Sequence, residues 1–214
     1  MIRVFKSDIV PSSLTNTNRY DGDDVQRQLD QDQHQKCYLC ERKLVTDYEE
    51  EHKHSQTNCI EKKTDWNNLF LACGYCNRRK SSKFDNIVSP SLINVEDIIS
   101  QRIDYSNKRV LFYSQEHNLS ISETIRLLNR LFNGKDGLRI YKEEKFFEYF
   151  ISKMNSFKKF IDDYLEKPTD YNESVIQELL DINQEFLGFK YWIIMDNPIL
   201  KDKLSKYCVW NKSE

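Results

Sequence analysis

The sequence predicts an α+β protein, mainly helical, with a small ββα unit near its N-terminal half and a helical C-terminal region. Three observations predict it. Two Cys-x-x-C pairs, Cys37/Cys40 and Cys73/Cys76, bracket two short apolar blocks and lead into a helical stretch, the order a ββα unit requires. Between about residues 99 and 112 the apolar residues alternate, the period of a hairpin. Beyond about residue 119 they recur at helical spacing almost to the end of the chain. The expected boundaries are therefore 1–93 for the first unit, 94–118 for a hairpin connector and 119–214 for the helical region.

Taken in order, residues 2–10 (Ile2, Val4, Ile9, Val10) read as one extended segment, and Pro11 to about Gly22 as a loop. Asp23 or Asp24 can cap a helix that turns Val25, Leu29 and His34 inward. After Cys40, Leu44, Val45 and Tyr48 suggest a short strand, followed by the acidic run Glu49-Glu50-Glu51. Residues 55–65 are polar and read as a loop; Trp66, Leu69, Phe70 and Leu71 form the next apolar block. A helix is expected from near Cys73 through Arg79 to Lys83. Ile99, Gln101, Ile103 and Tyr105 alternate before a Ser-Asn turn and Arg109–Phe112. Ser120 and Glu123 have the spacing of a capping box, and Gly134 marks the end of the helix they would open. A second helix spans about Leu138 to Glu166, stopped by Pro168. A third starts at Asp170 or Asn172 with Ile176, Leu179, Leu180, Phe186 and Leu187 on one face, interrupted at Asn183 beside Ile182 and broken or bent at Gly188. A last short helix is expected near Leu200–Tyr207. The aromatics of this region read first as a packed helical core, and alternatively as anchors for a partner.

Composition narrows the function. The 214 residues carry 32 Lys+Arg against 34 Asp+Glu, a formal net charge of −2. A protein bound to nucleic acid through phosphate contacts alone is usually basic overall, so any such binding must come from a local patch or from a partner. No apolar run is long enough for a transmembrane span, and the N-terminus lacks the apolar stretch of a signal peptide, so a cytoplasmic location and no membrane association are expected. Disulfides are uncommon in that compartment, and four of the six cysteines stand in Cys-x-x-C pairs; Cys59 and Cys208 stand alone as small apolar residues.

Cys37, Cys40, Cys73 and Cys76 offer four thiolates, a closed tetrahedral set that suits structural Zn²⁺ and leaves no open coordination position. An iron–sulfur cluster and a redox-active dithiol are the rival readings. Tyr38 and Tyr75, one in each pair, are suited to covering the cluster. A zinc here would contribute several kcal/mol, on the order expected of structural sites, to a loop-rich segment with little core.

A second set of residues has different chemistry. Glu51 offers a hard carboxylate oxygen, Asn77 a neutral amide oxygen at a helix N-terminus, and His52 an imidazole that can act as a general base near neutral pH. A protein that supplies one or two ligands, leaving water and phosphate to complete an octahedron, is normal for Mg²⁺ or Mn²⁺. That combination suits phosphodiester hydrolysis. Arg78, Arg79, Lys80 and Lys83 follow on the same helix as a local positive patch for substrate phosphate. Singly, each has a duller explanation: an acidic or basic run is usually a solvated face, and His54, Glu49 and Glu50 read that way.

The run CYLCE…EEEHKHS…DWNNLFLACGYCNRRK resembles the HNH endonuclease family of ββα-metal type in its zinc-stabilised version. The resemblance implies His52 as the general base, Asn68 as the residue that braces the loop between the strands, and Asn77 with Glu51 as ligands of the catalytic metal. It implies Lys80 near substrate phosphate and DNA as the substrate. Many relatives carry a proline shortly after the first His; here the stretch reads His52-Lys53-His54-Ser55. The extended N-terminus, the CYLCE knuckle and the helical C-terminal region are similar to PtuB-type HNH proteins of Septu and retron-associated anti-phage defence. Those act with a PtuA-type ATPase, and the resemblance implies such a partner docked on the helical region. Two other readings remain: a non-catalytic zinc-finger adaptor, which has no use for Glu51, His52 and Asn77, and a stand-alone restriction-type nuclease, which would need sequence-reading elements.

Overall fold

The computed structural model describes residues 1–210; residues 211–214, the end of the expected helical region, lie outside the described residues. Residues 2–10 join no sheet and bend at 8–9, and the Val4 amide donates to Pro90 O at 2.8 Å. Within the expected loop a short helix α1 (Ser12–Asn16) forms. The Asp24 carboxylate accepts from Ser12 Oγ and the Ser13 amide at its start. Asp24 thus serves α1. Helix α2 (Asp23–Asp32) has Gly22 at its N-cap with no side-chain cap, although Val25 and Leu29 are buried as expected.

The first strand is not Leu44–Tyr48. Only an isolated bridge, Lys36 to Lys43, forms there, and the acidic run itself makes β1 (Glu49–His52). It pairs antiparallel with the fully buried β2 (Leu69–Ala72), Glu49 opposite Ala72 and His52 opposite Leu69. An acidic strand is tolerable because its inward carboxylate meets a buried cation, described below. Cys73 occupies the N-cap of α3 (Gly74–Lys80). Ser81, at φ +46°, ends that helix, so Lys83 falls in a 3₁₀ turn rather than on the helix.

A short helix α4 (Val95–Ile98) precedes the expected hairpin of β3 (Ser100–Asp104) and β4 (Arg109–Tyr113). The Asp104 carboxylate closes its turn by accepting from the Asn107 amide at 3.0 Å. Helix α5 (Leu119–Asn133) is capped by Asn118, whose Oδ1 accepts from the Ile121 amide at 2.8 Å, and not by Ser120. Glu123 turns instead towards Asn86. Gly134, at φ +81°, ends α5 where a Cβ would stand 2.2 Å from Leu138 O.

Helix α6 (Tyr141–Glu166) follows, then α7 (Asp170–Leu179), α8 (Leu187–Met195) and α9 (Pro198–Leu204). The expected third helix is therefore two, broken at residues 180–186. The carbonyls freed there accept from elsewhere: Lys36 Nζ donates to Ile182 O and Gln184 O. Gly188 lies in the first turn of α8, where a Cβ would stand 2.4 Å from the Gln101 side chain.

A single apolar cluster runs from Met1 to Cys208. Phe132 of α5 sits near its centre, with ring centroids of Phe112, Phe146, Phe150 and Phe189 at 5.1–5.7 Å. The C-terminal aromatics are mostly this core. Among the described residues no helix is long and apolar enough to cross a membrane.

Candidate active site

The four paired cysteines converge. Their sulfurs all lie within 4.8 Å of one another, and all four residues are fully buried. Tetrahedral Zn–S bonds of about 2.3 Å place sulfurs roughly 3.8 Å apart, and Cys40 and Cys73 stand at 3.9 Å. Hydrogen bonds from Cys37, Cys40 and Cys76 drive the Cys73 thiol far down, while burial pushes Cys40 and Cys76 up. Four buried sulfurs this close together suit a soft divalent cation. The four sulfurs fit zinc.

Each knuckle is joined to the rest of the molecule by its tyrosine. The Tyr38 hydroxyl donates to Glu51 Oε2, and its ring stacks on Phe70 at 4.7 Å. The Tyr75 hydroxyl donates to Leu131 O at 2.6 Å, and its ring stacks on Phe146 at 4.7 Å. The tyrosines thus carry the position of the cluster outward, to β1 in one case and to α5 and α6 in the other.

The two-residue period of a strand divides β1 into two faces. Glu49 and Glu51 turn to α3. Glu49 accepts from Asn77 Nδ2 at 2.5 Å and lies 3.9 Å from Arg78, while Glu51 Oε1 is 2.6 Å from Lys80 Nζ. Asn77 and Lys80 are three residues apart on one helix face, so two rungs of β1 meet two rungs of α3. Burial pushes the Glu51 carboxyl up, against the pull of Lys80 and Tyr38.

His52 turns to the opposite face of β1. Its Nε2 is 2.8 Å from Lys63 O. A carbonyl only accepts, so Nε2 carries the proton and Nδ1 keeps its lone pair. Gln56 Nε2 lies 3.3 Å from that Nδ1, and Tyr20 meets the ring edge-on at 4.8 Å. Burial holds the imidazole below its ordinary range, which favours the neutral base. Asn68, nearly fully buried, accepts from the His54 amide at 2.7 Å and donates to His54 O and Lys62 O. Its amide ties both ends of the loop that follows His52.

The four cations expected as one patch are divided by the structure. Lys80 is fully buried and also donates to His52 O at 3.0 Å. The Arg79 guanidinium lies 3.7 Å over the Tyr75 ring and bonds Glu143 of α6 at 3.1 Å. Both point inward because β1 and α6 supply the carboxylates. Arg78 is exposed, at 65% of its side-chain surface, beside Glu49, and Lys83 is exposed with no ion pair among the described residues.

The donors for a hard cation are present. An ionised carboxylate has about four acceptor positions, so Glu51 keeps capacity beyond Tyr38 and Lys80. Asn77 uses only its NH₂ group, leaving Oδ1 without a hydrogen bond among the described residues. Carboxylate and amide oxygens are of the type that Mg²⁺ or Mn²⁺ takes, and the two Glu51 oxygens are shared with Lys80 and Tyr38.

Two contributors had weak sequence signals. Asp85 accepts from the Ser55 amide and hydroxyl and from Asn58, and lies 3.9 Å from Lys80, binding the loop after His52 to the end of α3. Nothing but its place shortly after Lys83 marks it. Tyr38 was visible as a knuckle residue, but its bond to Glu51 depends on the fold.

Residues 37–83 match the family model described as HNH endonuclease, under a quarter of the chain. No curated protein matches the chain.

Proposed function

We propose that this chain is a divalent-metal-dependent endonuclease that hydrolyses phosphodiester bonds in DNA, with His52 as the general base. The observation that carries the reading is the bond between His52 Nε2 and Lys63 O, which leaves Nδ1 as the basic nitrogen. The neighbouring Glu51 and the Asn77 of a cysteine-anchored helix supply oxygen donors. His52 Nδ1 takes a proton from the attacking water, and Lys63 O stabilises the imidazolium that results. Asn68 holds the carbonyls on either side of that loop, so the base keeps its aim. Lys80 pairs with Glu51 within the fold, and Asn77 and Glu51 would hold the Mg²⁺ or Mn²⁺. When bound, that ion supplies charge stabilisation at the phosphate and at the leaving 3′-oxygen. Arg78 of α3 and Lys83 of the turn after it are the cations accessible to substrate phosphate.

Cleavage of plasmid DNA in Mg²⁺ tests the reading. The wild-type chain cleaves, and His52→Ala keeps its zinc and loses cleavage by about 10²-fold or more, the order of a general base. A protein that binds DNA equally well with and without His52 and never cleaves is an adaptor instead. The finer form of the reading is an anti-phage effector activated by a PtuA-type ATPase. It is supported by the resemblance of the knuckle and the C-terminal region to PtuB-type proteins and by the net charge of −2. It predicts weak cleavage by the isolated chain and strong cleavage with such an ATPase; unregulated full activity alone contradicts it.

A further inference from the structure

Two of the four cations expected to hold substrate phosphate, Arg79 and Lys80, turn inward, which leaves the question of where a nucleic-acid backbone is gripped. A cleft of about 420 Å³ opens immediately past α3. Its wall is built by Phe84, by Arg126 and Arg130 of α5, by Arg109 of β4, and by Lys135 in the turn after α5. Arg109, Arg126 and Lys135 are exposed and enter no ion pair among the described residues. Arg130 is shared with Glu143 at 2.5 Å, and Asp136 is the one acidic residue of the lining. In a chain of net charge −2, this is a local concentration of positive charge, offset in part by Glu143 at Arg130 and by Asp104 across the hairpin from Arg109.

The cations are also placed. The Arg109 guanidinium lies against Gly137, where a Cβ would stand 2.9 Å from it, so the glycine makes room for the arginine. The Arg126 guanidinium lies 5.7 Å from the centre of the Phe84 ring. Planar guanidinium groups held this way suit the paired oxygens of a phosphate. The cleft is anchored to the candidate active site by covalent continuity and by hydrogen bonds. Phe84 follows Lys83 directly, Asp85 reaches Lys80 and the loop after His52, and Val88 N donates to Thr124 Oγ1 of α5 at 2.9 Å.

We infer that this cleft binds the phosphate backbone of the nucleic-acid strand that leads away from the cleavage point, with Arg109 and Arg126 as its principal contacts. The inference rests on the nuclease reading for its substrate, but the binding it predicts does not require cleavage. It places part of the substrate grip on α5 and the hairpin, outside residues 37–83.

The test measures binding of a labelled DNA duplex, the corresponding single strand and an RNA of the same sequence to the His52→Ala chain at several salt concentrations. Arg109→Glu/Arg126→Glu in that background should weaken binding of the preferred form about tenfold or more. It should also lower the slope of log affinity against log salt by about two. The milder Arg126→Gln should give a smaller loss in the same direction, and Lys158→Glu, an exposed change on α6 outside the cleft lining, should give none. Zinc content and melting temperature identify any variant that fails to fold, and the Arg126→Gln result then decides. Unchanged affinity and slope in folded Arg126→Gln and double variants overturn the inference. So does displacement of the DNA by micromolar inorganic phosphate, which marks a small-anion site rather than a backbone track. Wild-type cleavage is read separately. A chain that binds through the cleft and never cleaves refutes the nuclease reading alone, and one that cleaves with the cleft reversed refutes the cleft alone.

Discussion

Lys80 shows how one side chain can make an acidic strand foldable. It is fully buried, with its ammonium 2.6 Å from Glu51 and 3.0 Å from His52 O. Removing one partner of a buried pair leaves an uncompensated charge, at a cost of about 3–5 kcal/mol. Lys80→Met should therefore destabilise the protein by that order in denaturant unfolding, far more than Lys83→Met, whose side chain is exposed. A second buried carboxylate gives a pH signature. Burial pushes Glu96 up to about 7, from an ordinary 4.5. The folded state therefore binds the proton more tightly than the unfolded chain, so stability falls as pH rises from about 4.5 to about 7 and then levels, by up to about 3 kcal/mol. Glu96→Gln should remove this dependence, melting higher than wild type at pH 8 and close to it at pH 4.5; a parallel shift at both pH values would contradict it. The residue types at these places were legible in the sequence. Their pairings were not, because Lys80 meets Glu51 only once β1 and α3 are packed.

At the scale of elements, the cysteines hold both ends of the candidate site. Cys73 caps α3 and Cys76 lies within it, one residue before Asn77. Cys76→Ser should lose zinc, folding of this unit and cleavage together, whereas Asn77→Ala should keep stoichiometric zinc and lose cleavage. Metal analysis beside the cleavage assay separates the two. The Cys-x-x-C pairs, the hairpin, α6 and the α5 stop at Gly134 were readable from spacing and turn chemistry. The first strand was misplaced because apolar content suggested Leu44–Tyr48, while the actual strand is Glu49–His52, made tolerable by a partner at distant Lys80. The break at 180–186 shows in the sequence only as Asn183 interrupting an apolar face, because the carbonyls there are claimed by Lys36, far away in sequence.

For the whole molecule, the unit built on the four cysteines and the helical region share one core. Glu41, beside the first knuckle, accepts from the Gly188 amide; Glu185 accepts from the Lys43 amide at 2.9 Å; and Tyr75 reaches Leu131 O. Metal-coupled folding should then spread beyond the knuckle. A single unfolding transition, seen alike by far-ultraviolet signal and aromatic fluorescence, should move down in temperature when zinc is chelated. A C-terminal half that melts unchanged after chelation would show two independent units. This continuity was invisible in the sequence, where composition and periodicity suggested successive segments without showing that they interlock.

The most direct measurement is Mg²⁺-dependent cleavage of plasmid DNA by zinc-loaded wild type and zinc-loaded His52→Ala at matched concentration. Nicking or linearisation by wild type, with loss of about 10²-fold or more in the variant at unchanged zinc content and melting temperature, is the expected result. Equal cleavage by the two proteins would contradict the assignment of His52 as the base.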